Sequence, residues 1–239
     1  MAVERAKQVE NKLLQLHGKM LEAKFMNLRL QMNPHFLFNI LTSIQYLIIS
    51  NQVNKATKYL NIFSRFLRSL LNFAEETVVP LDEELRILEM YIELESLCLD
   101  ESFIWNVTLS DEIEKEEVLV PFMLLQPFVE NAINHGLMNK TGEKHFHISL
   151  QENDENSLVC IIQDNGIGRE AAAKISRDNI FSSSIHESKA IKIISERLEL
   201  LQQKTGKLAG FTMEDLYENG IVAGTRVRII IPYYTKEET

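Results

Sequence analysis

Pro34 constrains the fold of this chain more than any other residue. The first seventy-five or so residues read as helix and contain only Gly18 and Pro34 as breakers. Proline has no N–H to donate, and its ring clashes with the carbonyl four residues back, so a helix through position 34 must kink or restart. Asn33 is a good N-cap and Pro34 a good first helical residue. His35 then falls in a first helical turn, where the helix dipole and unpaired N–H groups favour a phosphoryl group or carboxylate. Asn39 shares its face one turn on. The structural alternative is a helix punctuated by Asn-Pro, with a histidine that happens to follow.

Before this point Leu14, Gly18, Leu21, Phe25, Leu28 and Met32 step by four and three, a heptad-like seam. After it, Ser50-Asn51-Gln52 reads as a turn, followed by a helix to about Phe73. Two helices joined by a short turn make an antiparallel hairpin. One hairpin has too little core, so a dimeric four-helix bundle is expected. Thr77-Val78-Val79-Pro80 is the best domain boundary, dividing residues 1–76 from 77–239. Beyond it the spacing predicts a helix over 81–98 with Asp82 as cap, a strand from Phe103 to Leu109 and a helix over 121–135. Strands around 146–150 and 158–162, a helix over 188–204 and closing strands at 211–213 and 225–232 complete the pattern. Helices mixed with hairpins suggest an α+β two-layer sandwich.

Composition narrows the functions. The formal net charge is −9, against a general binder of nucleic acid, whose affinity rests on clustered Lys and Arg. No apolar run approaches the roughly 18 residues of a membrane span. Cys98 and Cys160 stand in apolar surroundings without metal spacing, and read as buried thiols of a reducing compartment.

Two further segments carry chemistry. Gln163-Asp164-Asn165-Gly166-Ile167-Gly168 follows an apolar strand, so a carboxylate and two glycines occupy a loop shaped for close ligand approach. Asp164 can accept from an exocyclic amine such as that of adenine, although Asp and Gly are also turn formers. In 125–136 a helix carries polar residues into an apolar pattern. Asn131 lies three residues from Asn134 and four from His135, on one face. Such oxygens suit Mg²⁺, while Asn134 and Gly136 could equally be helix-terminal residues.

Taken together, Asn-Pro-His-Phe-Leu-Phe-Asn at 33–39, Pro-Phe-Val-Glu-Asn-Ala-Ile-Asn-His-Gly at 127–136, Asp-Asn-Gly-Ile-Gly at 164–168 and Gly-Thr at 224–225 resemble the LytS-like sensor histidine kinases. The resemblance covers about 25–233. It implies a coiled-coil linker and dimerisation and phosphoacceptor region over 1–76, then an ATP-binding domain of the GHKL (Bergerat) type over 77–239. It implies His35 as phosphoacceptor, Asn131 as Mg²⁺ ligand, and Glu130, Asn134 and His135 beside the nucleotide. It further implies Asp164 as reader of adenine, Gly166 and Gly168 as shapers of its loop, and Thr225 near the base. ATP and Mg²⁺ are the implied cofactors, a homodimer the implied state and a response-regulator aspartate the implied acceptor. Asn39 could orient the imidazole, and Glu130 could serve as base. The implied location is cytoplasmic, as part of a membrane receptor whose sensor lies outside this sequence; a free-standing soluble chain is the alternative.

The sequence departs from the family at Ser188-Lys189-Ala190-Ile191, where Ala190 replaces a glycine of the second glycine-rich box. If that position needs positive φ, alanine costs roughly 1 kcal/mol or more. Pro127 stands where related ATPases carry a hydrolytic glutamate. The segment 169–187 reads as a lid, and Arg197 as structural. Two alternatives follow: a degenerate, non-catalytic dimeric adaptor, supported by Ala190, and a free-standing ATPase, opposed by Pro127.

Overall fold

The computed structural model describes residues 34–99, 103–154, 157–178 and 184–235, with backbone alone for 34–35, 154, 176–178 and 184–190. The proposed seam of the first thirty-three residues lies outside the described residues. The chain divides at Glu76/Thr77 into two compact units.

In the first unit, α1 (Pro34–Ile49) and α2 (Val53–Phe73) pack on one another. The turn follows from Asn51, whose φ of 58° places it in the left-handed region that asparagine tolerates. The N–H of Gln52 reaches the carbonyl of Leu47 at 2.8 Å and that of Asn51 reaches Ile48 at 3.0 Å, which satisfies the last carbonyls of α1. Phe36, Ile40, Ile44 and Leu47 step by four and three and are buried. They face Phe63, Phe66 and Leu70 of α2, with the Phe36 and Phe66 rings edge to face at 5.8 Å.

The second unit is α+β. Its large sheet has strand order β2-β4-β5-β7-β6: Phe103–Leu109, Lys144–Asp154, Ser157–Asp164, Ile221–Pro232 and Gly210–Glu218. β2 runs parallel to β4 and all other pairs are antiparallel. A small sheet joins β1 (Val78–Pro80), β3 (Val118–Pro121) and β8 (Tyr234–Thr235). The helices of this unit are α3 (Leu81–Ser96), α4 (Gln126–Asn131), α5 (Arg169–Asp178) and α6 (Ser184–Thr205). α4 continues as one π-helical turn over Ala132–Leu137. One face of the sheet, bearing Phe146, Ile148, Cys160, Ile162, Val227 and Ile229, is buried. Phe128 of α4 meets Phe211 of β6 edge to face at 5.0 Å, and Ile194 and Leu198 of α6 are buried.

Several expected elements are corrected. Pro121 ends a strand, and the helix expected from 121 begins at Gln126. The reason is Glu84 of α3, a buried carboxyl that accepts the N–H groups of Met123, Leu124 and Leu125 at 2.8, 3.0 and 3.3 Å. Those bonds hold 122–125 as a turned loop with Met123 at φ 55°. Asp82 lies inside the first turn of α3; Pro80 occupies the cap. Much of the expected lid is helix, because Arg-Glu-Ala-Ala-Ala-Lys at 169–174 consists of strong helix formers. α6 begins at Ser184, so Ala190 has helical backbone and carries no strain of the kind a positive φ would impose. Cys160 is buried and Cys98 half-buried, and the two form no disulfide. Among the described residues no helix is long and apolar enough to cross a membrane.

Candidate nucleotide-binding site

The buried face of the sheet turns polar along a single row. Asp164 pairs with Thr225 and Thr225 with Asp215, so the three lie side by side across β5, β7 and β6 and share one face. The preceding row is Ile162, Val227 and Met213, all apolar. A cleft of about 350 Å³ opens where the two rows meet the polar side of the α4–π helix. Asn131, His135, Asp164, Gly168 and Thr225 line it, with Phe128, Met213 and Val227 as its apolar part.

Asp164 is almost fully buried at 4% exposure. Its carboxylate accepts the N–H of Gly166 at 2.7 Å. Burial nevertheless dominates and pushes its pKa up to about 6, with the nearby Asp215 adding to the rise. A carboxylate fixed by a backbone donor in the wall of a largely apolar cleft is suited to accept an amine hydrogen from a flat heterocycle.

The glycines are spatial requirements. A Cβ on Gly166 would lie 2.5 Å from the carbonyl carbon and 2.6 Å from the Cα of Gly136, and 2.6 Å from Oδ1 of Asp164. The loop therefore touches the π turn backbone to backbone, and the N–H of Ile167 donates to the Gly136 carbonyl at 3.2 Å. Gly224, at φ 143°, leaves no room for a side chain against the Asp164 carbonyl oxygen.

Of the residues singled out in the sequence, five line the cleft. Gly166 supports it from behind. Glu130 and Asn134 point to another surface of the same helix: Asn134 bonds the Tyr91 hydroxyl, and Glu130 acts electrostatically on Tyr91 and Glu95. Among the side chains in the expected nucleotide region, that of Ala190 lies outside those described. His35 is the second residue of α1, its side chain also undescribed, and Asn39 is half-buried one turn on. Arg197 donates to the Phe122 carbonyl at 2.7 Å and so joins α6 to the loop before α4.

Sequence reading missed Arg169 and Asp215. Arg169 opens α5 at the cleft, and its Nε meets Asp215 Oδ1 at 3.1 Å. Register would have exposed Asp215, since it stands two strands from Asp164 in the same row.

The chain is a relative of the LytS sensor histidine kinases. A family model described as histidine kinase matches residues 23–103. The sensor protein LytS of Oceanobacillus iheyensis is 36% identical over 149 residues, 62% of this chain and 25% of that protein. The sensor histidine kinase/phosphatase LytS of Staphylococcus aureus is 30% identical over 221 residues, 91% of this chain and 35% of that protein. The chain thus spans about a quarter to a third of these relatives. Among solved structures, the histidine kinase domain of the Erythrobacter litoralis EL346 blue-light activated histidine kinase aligns with a TM-score of 0.46 and 15% identity, over 89% of this chain and 95% of that one.

Three buried carboxyls give the second unit a defined pH response. Burial raises Asp164 and Glu84 to about 6 and Glu95 to about 7. A carboxyl with raised folded-state pKa binds its proton more tightly folded than unfolded, so stability is greatest below the unfolded value near 4 and is lost as pH rises through 6 to 7. The thermal midpoint followed by circular dichroism is expected to rise between pH 7.5 and pH 5.5. Over the same interval ligand affinity is expected to fall, because protonated Asp164 loses acceptor strength. Parallel changes in the two quantities would contradict this assignment.

Proposed function

We propose that this chain is the kinase portion of a two-component sensor. It would bind ATP with Mg²⁺ in the GHKL-type cleft, transfer the γ-phosphoryl group to His35, and pass it to an aspartate of a response regulator. The observation that supports the reading most strongly is Asp164, a buried carboxylate held by the Gly166 N–H in the wall of a largely apolar cleft.

The residues fit the nucleotide and its metal. Asp164 and Thr225 offer an acceptor and a hydroxyl beside Met213 and Val227, which suits a flat base with an exocyclic amine. Gly136 and Gly166 leave a backbone surface that any side chain would fill. Asn131 offers a single hard oxygen, and Mg²⁺ at phosphates commonly takes one or two protein oxygens and completes its shell with water and phosphate. When bound, the metal would neutralise charge on the phosphates. In the transfer, a neutral imidazole nitrogen of His35 forms the N–P bond as the bond to the β,γ-bridging oxygen breaks and ADP leaves. Such chemistry depends on positioning and charge neutralisation.

Dimerisation is proposed through the first unit. Phe38, Leu41 and Ile48 are exposed on α1 outside its buried row, and Leu60 and Leu71 are exposed on α2. Covering them would complete a four-helix bundle. The helical backbone at Ala190 removes the main support for the adaptor alternative.

Calorimetric titration with ATP tests the cleft. Binding is expected, and is expected to be tighter with Mg²⁺ than with chelator. No binding in either condition would overturn the proposal.

A further inference from the structure

The α4–π helix carries polar pairs on two sides. Asn131 and His135 face the cleft. Glu130 and Asn134 face α3, where Tyr91 and Glu95 are buried at 1% and 4% exposure. The Tyr91 hydroxyl donates to Glu95 Oε1 at 2.7 Å, and Asn134 bonds the same hydroxyl. Burial and the Glu95 charge raise the Tyr91 pKa, so its hydroxyl keeps its proton; burial raises Glu95 to about 7.

Such a chain is expensive. Burying a carboxyl and a phenol costs free energy that hydrophobic side chains of similar size would not incur. It is placed where geometry is delicate. Asn134 lies within the π turn Ala132–Leu137. A π turn holds one residue more than an α turn, and it is frequent at functional sites. The other side of the turn is fixed by contact of Gly136 with Gly166 and by the bond from Ile167. Tyr91 and Asn134 fix this side. Relaxation of the turn to α-helical register would rotate His135 and Gly136 relative to Asn131 and Asp164.

We propose that Tyr91 and Glu95 are positioning residues for the nucleotide site: the hydroxyl, held by Glu95, secures Asn134 and so sets the register of the π turn that presents Asn131 and His135. This rests on the nucleotide-binding reading of the cleft. Outer partners of site residues commonly contribute about 10- to 100-fold in affinity or activity.

The test uses the whole chain, with dissociation constants for ATP measured with Mg²⁺ and with chelator. Tyr91→Phe keeps the ring in place and removes the hydroxyl. It is expected to weaken Mg²⁺–ATP binding about tenfold, with an unchanged circular dichroism spectrum. Asn134→Ala, on the partly exposed end, should give a similar loss, and the double variant should be no weaker than either single one, since both break one contact. Glu95→Gln still accepts from Tyr91 and should stay within about twofold of the parent, whereas Glu95→Leu should match Tyr91→Phe. Parent-like binding by Tyr91→Phe, additive losses in the double variant, or Glu95→Leu behaving like Glu95→Gln would each overturn the positioning role while leaving the nucleotide site intact. If the parent itself does not bind ATP, both fall. Should Tyr91→Phe unfold, the contrast between Asn134→Ala and the two Glu95 variants decides alone.

Discussion

Asp164→Asn is expected to abolish most ATP affinity while leaving the chain folded. The substitution is nearly isosteric, so the cleft keeps its shape. Its chemistry changes in two ways. The acceptor edge facing the base becomes partly a donor, so an adenine amine meets an N–H instead of an oxygen. A buried polar group left without its partner costs about 1–3 kcal/mol, or roughly 10- to 100-fold in affinity. Stability moves the other way. Ionised Asp164 is disfavoured by burial, as its raised pKa shows, so a neutral amide relieves a cost at neutral pH. The expected result is a thermal midpoint equal to or above that of the parent, with ATP binding lost in calorimetric titration. Unchanged affinity would remove Asp164 from the site. Loss of both affinity and folding would make the carboxylate structural.

Gly166→Ala is expected to damage the site and the fold together. The new methyl would lie 2.5 to 2.6 Å from backbone atoms of Gly136 and 2.6 Å from Asp164 Oδ1. Backbone cannot swing aside as a flexible side chain does, so the loop and the π turn must separate. The Ile167–Gly136 bond and the Gly166–Asp164 bond are then lost as well. Overpacking of this kind costs about 1–3 kcal/mol, which lowers the thermal midpoint of a domain this size by roughly 2–10 °C. ATP affinity should fall at least tenfold with it. Gly210→Ala is the matched control: its Cβ would meet nothing within 4 Å, and neither quantity should move. Equal behaviour of the two variants would show that the close approach at Gly166 is not required.

Much of the second unit was legible because its periodicity is strong. Alternation from Phe103 to Leu109 marked a strand, and the apolar run ending at Asp164 marked another with a carboxylate at its end. The helix ending at Phe73 and the turn at Asn51 were legible for the same local reasons. Elements decided by distant partners were not. The late start of α4 depends on Glu84, about forty residues earlier, capping three N–H groups. The β6–β7 hairpin has a local signal in Asn219 and Gly220, which, with φ of 52° and 79°, form the tight turn that this dipeptide favours. In the cleft, Asn131 and His135 were legible from their spacing on one helical face and Asp164 from its place at a strand end, whereas Gly168 and Thr225 came from the family motifs. Asp215 and Arg169 stayed hidden, since only the pairing of β6 with β7 brings Asp215 into line with Asp164. Asn134 was drawn to the nucleotide by the family resemblance, whereas the π turn directs it toward Tyr91.

The central claim is transfer of phosphate from ATP to His35. The most direct measurement is incubation of the chain with γ-radiolabelled ATP and Mg²⁺ beside its His35→Gln variant, followed by acid and alkali treatment of the labelled protein. The account predicts label that is acid-labile and alkali-stable in the parent and absent from the variant. Equal label in both chains, or label that survives acid, would place the phosphate elsewhere and contradict the account.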